Sequence, residues 1–231
     1  MTRTVALTLA LTLLCGCETV RQVEIRTVPE EGAEISVDDK PIGVSPVLYG
    51  FDFADPETRY KVAATKEGYV RSTKLVHQLT IDAFSERNGV EDGKEFIEIK
   101  LHEDEVWTHT VPSDASNTWL ELEVNSDMDE DQVWDVLIDT LTRYYPELDN
   151  QDNQAGYIAS KSKTKSLRRG PTKTVALTNQ FFCSITSRNP LIYKVQIKSI
   201  LDDNGEQIEY PRIFQETESL IPDLRKRLVA E

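Results

Sequence analysis

The side chains able to do chemistry are three cysteines, three histidines, an acidic stretch and a basic stretch. Cys15 and Cys17 stand directly behind Val5 to Leu14, an apolar run preceded by Arg3. A positive start and a run of this length have the form of an export segment, too short to span a bilayer. Cys183 is alone in Phe181-Phe182-Cys183-Ser184-Ile185-Thr186, an apolar strand-like run where a free thiol acts as a small buried hydrophobe. The mature chain is therefore expected to rely on no disulfide. His77 and His102 lie in or beside strand-like runs. The sequence His102-Glu103-Asp104-Glu105-Val106 puts Val106 where a zinc-protease helix needs its second histidine. Asp127, Asp129 and Asp131 alternate like the start of a calcium loop, but its required Gly is replaced by Gln132 and its closing acid by Ile138. An acidic first helical turn is the reading that fits, and neither a metal nor a cofactor is expected.

The stretch Leu14-Cys15-Gly16-Cys17 resembles the lipobox of bacterial lipoproteins: an apolar residue three before a Cys, with small residues between. The resemblance implies cleavage behind Gly16, a thioether-linked diacylglycerol on Cys17, and acylation of the new N-terminus. Several acyl chains hold a protein in the bilayer where a single chain gives marginal attachment. Glu18 follows the Cys where enterobacterial lipoproteins kept in the inner membrane carry Asp, so the expected address is the outer membrane, facing the periplasm.

Composition suits a body on such a tether. Twenty-six Lys and Arg against forty Asp and Glu give a net charge of −14. Such acidity disfavours non-specific binding to nucleic acid or to anionic lipid. No later stretch is apolar for the roughly twenty residues a spanning helix needs.

Val23 to Val28 alternates apolar with polar residues, as does Ala33 to Val37, and Pro29-Glu30-Glu31-Gly32, Asp38 to Pro41, Gly43 and Pro46 punctuate them at β-hairpin spacing. Val28 to Pro46 (VPEEGAEISVDDKPIGVSP), with Tyr60 to Ala64 and Lys66-Glu67-Gly68-Tyr69, resembles the PEGA domain. The resemblance spans about residues 23–80 and implies a small β-sandwich used as a binding or spacer module. An extra Glu in the Pro-Glu-Gly-Ala core and Asp39 in place of the usual turn Gly depart from the pattern. Val70 to Ile81 and Glu95 to Leu101 are expected as further strands around a polar loop, closing a domain over residues 23–103 behind a tether at 17–22.

Residues 104–118 are polar, contain Pro112 and lack either period, so they are expected as a linker. Residues 119–231 form the second expected domain. Trp119 to Val124 is its first strand. Ser126 or Asp127 is the expected N-cap of a helix carrying Trp134, Leu137, Ile138, Leu141 and Tyr145 on one face and ending before Pro146. Strands follow at Gly156 to Lys163, Lys173 to Thr186 and Leu191 to Asp202. Asp202-Asp203-Asn204-Gly205 turns the chain into Glu206 to Tyr210, and a last helix with Pro222 in its first turn carries Leu220, Ile221, Leu224 and Leu228. The fold class expected is thus a small β-sandwich followed by an α+β domain, an antiparallel sheet with two helices on one face. From Val133-Trp134 to Gly156-Tyr157-Ile158 the pattern is similar to the helix-grip domains of a lipoprotein component of the outer-membrane β-barrel assembly machine.

Charge is lopsided here. Between Glu103 and Asp152 fifteen residues are acidic and only Arg143 is basic, whereas Asn153 to Leu201 holds nine basic residues and no acid. Lys161, Lys163, Lys165, Arg168 and Arg169 are the candidate partner-binding residues, the three lysines recurring at the strand period of two. They either answer the acidic helix bearing Asp131, Asp135 and Asp139 or face an anionic partner, an envelope protein or polymer. The role expected is non-catalytic: a membrane-anchored lipoprotein that binds or positions a partner. A cell-wall-acting enzyme with a carboxylate site is the alternative, against which stand the absence of a Gly-rich phosphate loop and of a nucleophile motif.

Overall fold

The computed structural model describes residues 20–229 except residue 92. Cys17 and the lipobox lie outside the described residues. In chain order the elements are β1 (Val20–Val28), β2 (Glu34–Val37), β3 (Lys40–Val44), β4 (Val47–Asp52), β5 (Tyr60–Thr65), β6 (Tyr69–Val70), β7 (Ser72–Val76), α1 (Gln78–Asn88) and β8 (Glu95–Lys100). They continue with β9 (His102–Glu103), α2 (Glu105–Thr108), β10 (Thr110–Pro112), β11 (Leu120–Glu123), α3 (Glu130–Tyr144), β12 (Leu148–Asp152), β13 (Tyr157–Ser160) and β14 (Lys163–Arg169). β15 (Lys173–Arg188), β16 (Leu191–Asp203), β17 (Glu206–Glu209), β18 (Arg212–Phe214) and α4 (Leu220–Leu228) complete the chain. The fold is mostly strand and divides into two compact units, one of residues 20–65 and 71–101, the other of residues 66–70 and 102–229 as described.

In the first unit β1 lies between β4, antiparallel, and β8, parallel. A second, antiparallel sheet runs β3-β2-β5-β7. Alternation dictates which side chains go inward: Val23, Ile25 and Thr27 of β1, Ile35 and Val37 of β2, and Val62 and Ala64 of β5 are buried. Phe51 of the first sheet meets Tyr60 of the second edge to face, with 5.1 Å between ring centroids, and Thr27 donates a hydrogen bond to Ser45 at 3.0 Å. One expectation is corrected here. Val70 to Ile81 is not one strand, because the chain turns at His77 into α1, whose single buried residue is Ile81.

The second unit is built on an antiparallel sheet, β11-β16-β15-β13-β12, to which β14 and β17 add by pairing with β15 and β16. Phe181 and Cys183 of β15 face Ile197 and Val195 of β16 in register, and this buried side receives Val133, Leu137 and Leu141 of α3 and Leu220, Leu224 and Leu228 of α4. Both helices thus pack on one face. The Tyr144 hydroxyl donates to Asp223 at 2.5 Å, and Arg227 reaches Asp139 at 2.6 Å and the Thr140 hydroxyl at 2.7 Å, joining α3 to α4. α3 starts one turn later than expected. Its N-cap is Asp129, not Ser126 or Asp127, because Gln132 three residues on completes a capping box with it.

Residues 104–118 are not a linker. They form α2 and β10 inside the second unit: β10 pairs with β18, Ala115 is buried, and the Ile197 N–H donates to the Ala115 carbonyl at 2.9 Å. Polar side chains do the anchoring there. Asn117 donates to the carbonyls of Ser199 and Tyr210, each at 3.0 Å, and accepts from the Ser199 N–H at 2.9 Å. The chain instead passes between units at 65/66, 70/71 and 101/102.

Candidate partner-binding surface

Strand β14 carries four of the five candidate cations. It pairs with β15 from Lys163 opposite Asn179 to Arg169 opposite Lys173. Because β13 ends at Ser160, Lys161 precedes the strand and does not share its alternation; Lys163 and Lys165 do share one face, together with buried Leu167 and with Arg169. Arg168 points to the other side and is the most open of the five, with 75% of its side chain exposed.

Each of the five meets a carboxylate within its own unit. Lys163 and Lys165 converge on the two oxygens of Glu216, at 2.7 and 2.6 Å, and the Lys165 ammonium also lies 4.8 Å from the centre of the Phe214 ring. Glu105 accepts from both the backbone N–H and the Nε of Arg168, each at 2.8 Å. Arg169 Nε donates to Asp104 at 3.1 Å, and Lys161 donates to Glu147 at 2.7 Å. The hydrogen bonds from Arg168, the backbone one first, hold Glu105 below the usual carboxylate range. Lys161 does the same to Glu147, which in turn raises the lysine. Burial pulls Glu216 up, yet the hydrogen bonds from Lys163 and Lys165 outweigh it and leave the group lowered.

The acidic helix plays a different part from the one its sequence suggests. Asp139 of α3 pairs with Arg143 and Arg227, and Glu130 with Arg188; the partners of the basic strand come instead from Glu147, Glu216, Glu105 and Asp104. Asp129 is spent on the cap and Asp131 accepts from Asn153 at 3.4 Å, so the three alternate aspartates do not converge. Among the described residues no three His, Cys, Asp or Glu side chains form a group able to hold a metal ion. Cys183 is fully buried, and desolvation pushes its thiol far up, so it is unreactive in the folded protein.

The face is therefore a charge-paired surface. An anionic group can be taken up at Lys163 and Lys165 only by displacing Glu216, whereas Arg168 keeps most of its guanidinium open. The pairing carboxylates escaped sequence reading because they lie 14 to 63 residues from their partners. A further feature had no sequence signal: a groove of about 650 Å³ bordered by Glu123, Asn125, Asp129, Arg188, Pro190 and Val229, where the β15–β16 turn meets the start of α3 and the end of α4. No protein-family model matches the chain, and neither does any curated protein or any solved structure.

Proposed function

We propose that this chain is a lipoprotein of the bacterial cell envelope, anchored through Cys17, whose two units bind or position a partner without catalysing a reaction. The observation that carries the reading is Leu14-Cys15-Gly16-Cys17 behind a short export segment, with a folded strand beginning at Val20. The address proposed is the outer membrane, on its periplasmic side, from Glu18. The two-sheet first unit is proposed as a PEGA-like sandwich, and the sheet with two helices on one face as a helix-grip-like domain. The partner is an envelope protein or polymer with anionic groups, met by the open guanidinium of Arg168 and by lysines whose partner Glu216 sits at the surface. Exposed charge of this kind acts mainly on the rate of encounter.

The anchor is tested by feeding cells a radioactive fatty acid and fractionating their membranes. Wild type is expected to carry label and to sediment with the outer membrane, and Cys17→Ser to be unlabelled and unprocessed or soluble. Label in the variant, or none in the wild type, would end the lipoprotein reading.

A further inference from the structure

Given lipidation of Cys17, on which the inference rests, the fold decides which part of the protein touches the membrane. Val20 is the first residue of β1, and three residues span at most about 10 Å even when fully extended. The start of β1 is therefore held next to the headgroups. Several segments share that end of the first unit. Val20 pairs with Asp52, the last residue of β4, and residues 53–59 lead from there to Tyr60, whose hydroxyl donates to the Asp52 carbonyl at 2.8 Å. Tyr60 pairs with Val76, after which the chain enters α1. The opposite end lies eight residues along β1, about 26 Å away at the rise of a strand. There Lys100 pairs with Val28, and the Leu101 N–H donates to the Val28 carbonyl at 2.7 Å just before the chain leaves the unit.

The chemistry of the near end is mixed in a way that selects its surface. Val20, Leu75 and Leu79 are exposed there, at 39, 59 and 70%. Residues 52–59 set Asp52, Asp55 and Glu57 against Arg59, an acidic balance that anionic headgroups would repel. We propose that this end of the first unit, residues 52–59 with Val20, Leu75 and Leu79, rests on a surface of zwitterionic lipid headgroups, so that the unit stands on the bilayer instead of swinging on a tether.

The test uses the full lipidated chain carrying Glu57→Cys or Lys100→Cys, each labelled with a fluorophore, in phosphatidylcholine vesicles containing a headgroup-linked quencher. Cys183 is buried and does not compete for label. Flotation is read first. In protein that floats, the label at position 57 is expected to be quenched severalfold more than that at 100, and an insert of about twenty Gly and Ser residues after Thr19 should abolish the difference without loss of flotation. Replacing part of the phosphatidylcholine with phosphatidylglycerol should reduce quenching at 57 at low salt, and high salt should restore it. Equal quenching of the two labels in floating protein overturns the proposal, and quenching at 57 that is indifferent to phosphatidylglycerol overturns the zwitterionic assignment. Protein that stays soluble without any substitution at Cys17 refutes the anchor itself, and the proposal falls with it.

Discussion

Glu216 is the residue whose replacement says most about the basic strand. Its carboxylate is shared by Lys163 and Lys165, and all three side chains are about a third or more exposed, so values screened by water apply. Two such pairs contribute about 0.5 kcal/mol each. Glu216→Gln removes both and leaves two ammonium groups facing each other; at about 5 Å in water their repulsion adds about 0.8 kcal/mol. The expected loss is thus about 1.5 to 2 kcal/mol, a fall of about 5 °C in the melting temperature of a unit of this size. Tryptophan fluorescence isolates the event, because Trp107, Trp119 and Trp134 all belong to the second unit. The pH dependence has a definite sign. Glu216 is lowered from its ordinary value of 4.5, so its stabilisation is present above that pH and disappears as the pH falls through the folded value. Wild type and variant should therefore differ at pH 7 and low salt and converge below pH 4.5 or in high salt. The variant should also capture an anionic partner faster, and Lys163→Gln with Lys165→Gln more slowly. Identical melting at pH 7 and low salt, or a gap that persists unchanged in acid and in high salt, would show that Glu216 does not hold the two lysines in this way.

Two substitutions in the second unit test its packing. The Tyr193 hydroxyl is buried with no hydrogen-bond partner, and burial pushes its pKa up to about 12; Tyr193→Phe should stabilise the protein by about 1 kcal/mol, since an unsatisfied buried hydroxyl is removed, as urea unfolding would show by a higher midpoint at unchanged slope. Gly156 has φ +62°, and a Cβ there would lie 2.7 Å from Cγ2 of Ile185, so Gly156→Ala should cost about 2 kcal/mol in the same measurement, and more than Gly205→Ala, whose added methyl meets nothing within 4 Å.

The parts of the fold legible in the sequence are those with strong local signals. α3 was legible because its apolar residues keep a helical period up to Pro146, α4 because Pro222 falls in its first turn, and the turn at Asp202 to Gly205 because Asn204 and Gly205 adopt the positive φ their types favour. Elements without such signals were missed. α1 buries only Ile81 and has no side-chain cap, so Gln78 to Asn88 carries no apolar stripe. β12 and β14 are polar strands; β14 buries only Leu167, and the strand is specified by its pairing with β15. Residues 104–118 read as a linker because Thr110, Ser116 and Asn117 hold them in place through hydrogen bonds to carbonyls, and no period records that. The five cations of the candidate surface were visible, but their carboxylate partners were not, since distant segments bring those together.

Whether the body is tethered to the envelope by lipid on Cys17 is decided by mass spectrometry of the N-terminal peptide from protein extracted out of bacterial membranes. The expected peptide begins at Cys17 and carries a diacylglycerol on sulfur and an acyl group on its amine. A mature N-terminus at any other residue, or Cys17 with an unmodified thiol, would contradict the lipid anchor.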